Sequence, residues 1–204
     1  MIKIKTKDGN SGFGLATSYT DIKPIIKPFS NGLQDLIIGE DPFCPERIYE
    51  KIFKLTDTRQ SNEKGWNREA LIRISAALDI ACWDLIGKAS KIPLYKLFGG
   101  FRNKIPVYVT CAYYRDGKDE KELRKELQKL IKIGHQSFKV KVGGLSIKED
   151  AKRLEIIRQE IGDDKDLMID VNRAWDLKTA IEGVKEFERF NPTWIEAVSY
   201  THLT

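Results

Sequence analysis

The 204-residue sequence lacks any apolar run of the roughly 18 residues or more that a membrane-spanning helix requires. Its first residues also lack the apolar stretch and small-residue cleavage site of a secretory signal peptide. Hydrophobic residues still make up 41% of the chain, which is enough to bury a core. We therefore expect a globular, cytoplasmic protein.

Cysteine is scarce, and basic charge is not gathered into a block. The three cysteines, Cys44, Cys82 and Cys111, are odd in number and widely spaced, so they form neither a disulfide framework nor a CxxC zinc site. The 35 basic and 30 acidic residues are interleaved along stretches such as residues 119–132. From the cysteine spacing we expect reduced thiols. Because a nucleic-acid footprint needs clustered Lys and Arg, we expect no nucleic-acid partner.

The first hundred residues have the pattern of a small α+β unit. Residues 8–10 (DGN) favour a tight turn between two short strands, since they readily supply the positive φ that hairpin turns require. Apolar residues three and four positions apart then indicate helices. The predicted strands span residues 2–5 and 12–16, and the predicted helices span residues 21–37, 45–55 and 67–88.

After residue 102 the pattern changes to strands that alternate with helices. Successive strands begin about 30 residues apart, which is the length of a parallel crossover unit. A doubly wound sheet and the first half of a (β/α)8 barrel both fit, because four strands cannot close a barrel. The predicted strands are 105–111, 136–142, 165–171 and 193–196, and the helices are 120–133, 147–161 and 177–190.

Ionisable side chains stand at the carboxyl ends of three consecutive predicted strands. Lys139 and Lys141 share one face of the second strand, Asp170 and Asn172 share one face of the third, and Glu196 ends the fourth. Taken singly, a strand-end lysine pair fits a solvated edge and a strand-end aspartate fits a helix cap. Neither explanation predicts all three in register, so we expect amines and carboxylates to converge where parallel barrels carry catalytic groups.

Several segments resemble one family in order along the chain. They are residues 76–88 (AALDIACWDLIGK), 97–100 (LFGG), 138–144 (FKVKVGG), 168–175 (MIDVNRAW) and 194–196 (WIE). This series resembles the mandelate racemase/muconate-lactonizing branch of the enolase superfamily. The ordered motifs are specific for the superfamily and much less specific for the reaction.

The resemblance covers roughly residues 1–196 and implies a chain truncated at both ends. It implies an α+β capping domain over residues 1–103, incomplete at its start. Residues 104–196 would form the first four βα units of a modified (β/α)8 TIM barrel. Residues 197–204 depart from the family's acidic or amide residue and proline, so we expect them to be a non-native tail.

The resemblance also implies a magnesium-dependent enzyme that removes the proton alpha to a carboxylate through an enolate. Lys141 resembles the catalytic base, and Lys139 resembles its partner that also contacts the substrate carboxylate. Asp170 and Glu196 match the first two of three magnesium ligands, with the third absent from this chain. Asn172 matches a substrate-binding position. A divalent cation on hard oxygen ligands is suited to stabilising an enolate.

Several functions remain open at this stage. The leading interpretation is a sugar-acid dehydratase, a lyase, acting on a small-molecule carboxylate as a cytoplasmic homo-oligomer, and the fragment itself is expected to be inactive. A racemase, epimerase or cycloisomerase of the same superfamily is the alternative. Remoter alternatives are an inactive fragment or basic binding module, and a doubly wound phosphate-binding module using Gly143 and Gly144, which lack the GxGxxG and GxxxxGK spacings.

Overall fold

A computed structural model describes residues 1–17 and 21–199 of the chain. The chain divides into two compact units, Met1–Lys104 and Ile105–Thr204. In the ranges described, no helix combines the length and the apolarity needed to cross a bilayer.

The first unit is built around one long helix and a hairpin. Strands β1 (Ile2–Lys5) and β2 (Ser11–Gly14) pair antiparallel, with Ile2 opposite Gly14. The helices are α1 (Lys23–Pro28), α2 (Pro45–Phe53), α3 (Arg59–Glu63), α4 (Arg68–Ser90) and α5 (Leu94–Leu97). Asn67 caps α4 by accepting a hydrogen bond from the Ala70 amide at 2.7 Å, which satisfies one of the free donors at the helix start.

Two glycines let β2 lie directly on the backbone of α4. A Cβ at Gly12 would stand 1.9 Å from the Ala81 carbonyl oxygen, and one at Gly14 would stand 1.7 Å from that of Ala77. Because both contacts are with backbone atoms, no side chain could move aside to make room. The hairpin can therefore pack at this distance only with glycine at both positions.

The predicted helix over residues 21–37 is wrong in its continuity. Helix α1 ends at Pro28, and a π-type turn (Phe29–Leu33) and a 3-10 turn (Gln34–Leu36) follow it. Gly32 has a φ of 88°, which breaks the helical path, and Pro28 has no amide hydrogen for an intrahelical bond. The apolar spacing survives across this break, which explains why the pattern alone indicated one helix.

The second unit is a parallel sheet with its strands in sequence order. The strands are β3 (Val109–Cys111), β4 (Ser137–Lys141), β5 (Asp166–Asp170) and β6 (Trp194–Glu196), and the order is β3-β4-β5-β6. The connecting helices are α6 (Glu120–Ile133), α7 (Ile147–Ile161) and α8 (Leu177–Phe187). A doubly wound sheet reverses its strand order and this sheet does not, so the first half of a TIM barrel is confirmed as the fold class.

One face of this sheet is a buried apolar core. Phe138, Val140 and Ile169 are fully inaccessible and pack with Leu127 of α6 and Leu154 of α7. Because strand side chains alternate, the residues between them, including Lys139 and Lys141, face the other side. The core therefore determines which side of the sheet carries the charged residues.

Strand β3 is shorter than predicted. The apolar alternation of residues 105–111 indicated a strand over that whole range, yet only Val109–Cys111 pairs with β4. Ile105 and Val107 are 75% and 72% exposed, and Pro106 between them has no amide hydrogen to donate to a neighbour.

Candidate active site

The charged strand ends stand side by side in the sheet. Lys141 on β4 is in register with Asp170 on β5, and Asp170 is in register with Glu196 on β6. The second lysine, Lys139, lies two residues earlier on β4 and on the same face. One row across three neighbouring strands thus carries an amine and two carboxylates.

Hydrogen bonds and one further ion pair join all five predicted site residues into one cluster. Lys141 Nζ lies 2.6 Å from Asp170 Oδ2 and 3.2 Å from Asn172 Oδ1. Lys139 Nζ lies 2.7 Å from Glu196 Oε1 and 3.4 Å from Asp170 Oδ2, so this side chain reaches across β5 to β6. We call Lys139, Lys141, Asp170, Asn172 and Glu196 the rim cluster.

The ion pairs in the rim cluster shift the pKa values of two members. Burial of Asp170 opposes its ionisation, but hydrogen bonds from Lys141 and the Asn172 amide, with the charge of Lys139, hold the pKa of Asp170 below its ordinary value. The hydrogen bond to Glu196 outweighs desolvation and raises the pKa of Lys139 above its ordinary value. Asp170 and Lys139 are therefore both charged at neutral pH.

Aromatic side chains surround the two amines, and sequence reasoning did not assign them to the site. The Tyr108 ring centroid is 5.2 Å from Lys139 Nζ, and that of Tyr113 is 5.7 Å from Lys141 Nζ. Trp194 donates its indole N–H to Glu196 Oε2 at 2.9 Å. Period-two alternation could have placed Trp194 on the same face as Glu196, because it lies two residues earlier on β6.

A buried carboxylate anchors the loop that follows β4. Asp150 is fully inaccessible, and it accepts hydrogen bonds from the Gly143 amide at 2.7 Å and the Tyr114 hydroxyl at 2.5 Å. The Gly144 amide donates to the Tyr114 oxygen at 3.1 Å, and Arg153 lies 3.3 Å from Asp150. The glycine amides that a phosphate-binding module would need are thus engaged within the protein.

All four parallel strands are followed within two residues by a left-handed backbone conformation. The φ angles are 54° at Ala112, 89° at Gly143, 52° at Asn172 and 48° at Ala197. Only glycine and asparagine take this conformation readily, so the sequence signalled two of the four turns.

The oxygen donors of the rim cluster suit a hard divalent cation. Asp170 and Glu196 are carboxylates in direct register, and Asn172 adds an amide oxygen. Among residues 1–17 and 21–199, no three or more His, Cys, Asp or Glu side chains form a group that could hold a metal ion. The two carboxylates fit a partial ligand set that needs at least one further donor. Of the two histidines of the chain, His202 lies outside the described residues.

Comparisons with known proteins agree on one family. The family model of the mandelate racemase/muconate lactonizing enzyme N-terminal domain matches residues 1–99 of the sequence. The family model of the enolase C-terminal domain-like family matches residues 122–199. Arabinonate dehydratase of Saccharolobus solfataricus is 31% identical over 194 residues, which are 95% of this chain and 50% of that protein. L-Ala-D/L-Glu epimerase of Clostridium acetobutylicum is 35% identical over 193 residues, which are 92% of this chain and 49% of that protein.

Solved structures support the same assignment. A racemase from Streptomyces coelicolor A3(2) with bound magnesium has a TM-score of 0.82 and 29% identity over 97% of this chain and 57% of its own. L-talarate dehydratase from Polaromonas sp. JS666, complexed with Mg and L-glucarate, has a TM-score of 0.81 and 28% identity over 97% of this chain and 53% of its own. The chain spans about half the length of the curated relatives it matches. With both domain models matched in order, the chain belongs to the mandelate racemase/muconate lactonizing enzyme family of the enolase superfamily.

Proposed function

We propose that the complete protein containing this chain is a magnesium-dependent enzyme that abstracts the proton alpha to the carboxylate of a small organic acid. The observation that carries the proposal is the rim cluster, in which two amines contact two carboxylates at the carboxyl ends of three adjacent strands. The family membership supports it, because the similar proteins named above are two dehydratases, an epimerase and a racemase.

Each member of the rim cluster has a proposed role. Lys141 Nζ accepts the alpha proton, and Lys139 Nζ, two residues away on the same face, holds the substrate carboxylate by charge and hydrogen bonding. Asn172, whose Oδ1 lies 3.2 Å from Lys141 Nζ, orients that amine or the substrate.

Asp170 and Glu196 are the proposed magnesium ligands. Magnesium, when bound, supplies positive charge that stabilises the negative charge developing on the substrate carboxylate as the proton leaves. We propose that the third ligand comes from a segment outside these 204 residues, which is supported by relatives about twice as long as this chain. A chain without that ligand would be inactive by itself.

Dehydration of a sugar acid is the proposed overall reaction. The alpha proton and the hydroxyl on the next carbon are together lost as one water molecule. The product of this elimination is an enol, which becomes a 2-oxo-3-deoxy acid. Arabinonate dehydratase and the L-talarate/galactarate dehydratase of Salmonella typhimurium, each 31% identical, support this choice. Racemisation or epimerisation is the second candidate, supported by the 35% identical epimerase, and cycloisomerisation is the third.

We also propose the domain roles expected from the sequence. Residues 1–103 would be a capping domain and residues 104–196 the first four βα units, which is supported by the boundary between compact units at Lys104. The non-native origin of residues 197–204 stays a prediction, and 200–204 lie outside the described residues. A cytoplasmic location, a homo-oligomeric state and the absence of a nucleic-acid partner also stay predictions.

Solvent exchange of the alpha proton tests the proposed function. The full-length protein is incubated in D2O with magnesium and a panel of sugar acids and N-acyl or dipeptide acids. Mass spectrometry follows deuterium at the alpha carbon of recovered substrate and at carbon 3 of any 2-oxo acid product. We expect magnesium-dependent incorporation that falls by about 1,000-fold or more in Lys141→Met, since that variant has no base. Lys129→Met, on the exposed face of α6, is the control and should retain wild-type exchange.

The products separate the candidate reactions. A 2-oxo acid formed with loss of water indicates dehydration, whereas labelled substrate of inverted configuration without a keto product indicates racemisation or epimerisation. Exchange that persists in Lys141→Met, or that is unaffected by chelation of magnesium, would contradict the proposed roles.

A further inference from the structure

Both oxygens of the Glu196 carboxylate are engaged, but by different kinds of donor. Oε1 accepts from the charged Lys139 Nζ at 2.7 Å, and Oε2 accepts from the neutral Trp194 indole N–H at 2.9 Å. Trp194 and Glu196 are two residues apart on β6, so the alternation of strand side chains places them on one face. The carboxylate plane is held from two sides.

The other carboxylate of the rim cluster is held in the same manner. Asp170 Oδ2 faces Lys141 Nζ at 2.6 Å, while Asp170 Oδ1 accepts from the backbone N–H of Asn172 at 3.0 Å. In each case a neutral N–H holds one oxygen and leaves the other toward the amines. For Asp170 the neutral donor is backbone, whereas for Glu196 it is a side chain that substitution can remove.

The indole is itself supported by a second aromatic ring. Tyr108 packs edge to face on Trp194, with ring centroids 5.8 Å apart and an interplanar angle of 74°. The same Tyr108 ring lies 5.2 Å from Lys139 Nζ. Each of four side chains therefore contacts two of the others: Tyr108, Trp194, Glu196 and Lys139. Movement of the indole would disturb both partners of the Lys139–Glu196 ion pair.

Burial within the described residues does not account for Trp194. Its surface is 38% exposed, while the tryptophans that fill the cores, Trp66 and Trp175, are 2% and 7% exposed. A tryptophan used only for packing would not need its N–H directed at an ionisable oxygen. The polar end of the ring is the part engaged with the rim cluster.

We propose that Trp194, supported by Tyr108, is a positioning residue that orients Glu196 toward the divalent cation. This inference rests on the magnesium site of the proposed function. Magnesium requires near-ideal ligand geometry, and hydrogen bonds that orient a ligating group are worth 10- to 100-fold in metal affinity. Without the indole N–H, Glu196 would be free to rotate onto Lys139, which already competes for Oε1.

Calorimetric titration of the full-length protein with magnesium chloride alone tests the inference without any substrate. Trp194→Phe retains an aromatic ring and removes the N–H, and its magnesium dissociation constant should rise by about 10-fold or more. Trp83→Phe is the matched control. Trp83 lies in the first unit, where its ring centroid is 4.8 Å from that of Phe98, and this variant should leave the dissociation constant unchanged.

Two further variants keep the test decisive. Tyr108→Leu leaves the N–H intact and removes its support, so it should raise the dissociation constant roughly 2- to 10-fold, even if Trp194→Phe does not fold. Glu196→Gln tests the metal site itself. No magnesium binding by the wild type, or wild-type binding by Glu196→Gln, would overturn the proposed function together with this inference. Loss of binding in Glu196→Gln with wild-type affinity in Trp194→Phe and Tyr108→Leu would overturn the inference alone.

Discussion

Replacement of Asp150 by asparagine should destabilise the second unit, because this carboxylate joins three elements while fully buried. It accepts from the Gly143 amide and the Tyr114 hydroxyl, and it pairs with Arg153. Arg153 also donates to the Ala112 carbonyl at 2.8 Å, so the carboxylate connects helix α7 to the loops after β3 and β4. Asparagine has the same shape but carries no charge and only one acceptor oxygen.

The expected cost follows from the contacts that asparagine cannot make. Removing one partner of a buried ion pair typically costs about 3–5 kcal/mol. The remaining amide oxygen can still accept from either Gly143 or Tyr114, which recovers about 1 kcal/mol. We therefore expect the free energy of unfolding to fall by about 2–4 kcal/mol, a large share of the roughly 5–15 kcal/mol that stabilises a typical domain.

Guanidinium unfolding followed by circular dichroism measures this cost, and the neighbouring residue provides the control. Glu149→Gln is the same change of acid to amide, but Glu149 is exposed and forms a capping box with Ser146 that glutamine can also form. The control should cost less than about 0.5 kcal/mol. If Asp150→Asn costs under about 1 kcal/mol, or no more than Glu149→Gln, the assigned role of the buried carboxylate is wrong.

Two further predictions concern packing and alkaline stability. Gly14→Ala should lower the free energy of unfolding by about 3 kcal/mol or more, because its Cβ would overlap the Ala77 carbonyl. The control is Gly9→Ala, at a φ of 90° with open space around it, which should lower the free energy of unfolding by about 1 kcal/mol. Equal costs in thermal unfolding would refute the close approach of β2 to α4. Burial raises the pKa of Cys82 to about 11 and that of Cys111 to about 12. Unfolded thiols ionise near pH 8.5, so the folded state binds more protons above that pH, and stability should fall as pH rises to 10, by at most about 1.4 kcal/mol per unit and thiol. The unfolding midpoints of a Cys82→Ala/Cys111→Ala variant should show a shallower fall, and a slope equal to that of the wild type would contradict this.

Local signals predicted two helices of the second unit well. Helices α6 and α7 begin and end where the sequence placed them, because their apolar spacing coincides with strong caps at Asp119 and Ser146. The same local reasoning failed over residues 21–37, where Gly32 and Pro28 interrupt a helix whose apolar spacing continues. Backbone conformation decided that segment, and apolar periodicity does not report it.

The amino-acid sequence by itself determined which side of each strand is charged, because side-chain alternation is a property of the strand alone. It also carried the ordered motifs by which the family could be recognised. Only the tertiary structure decided the partners: that Lys139 reaches past β5 to Glu196, that Tyr108 and Trp194 support that pair, and that Asp150 accepts from the Gly143 amide. Lys139 and Glu196 are 57 positions apart, Tyr108 and Trp194 are 86 apart, and Gly143 and Asp150 are seven apart. Their contacts depend on strand register and on backbone turns, which no local pattern encodes.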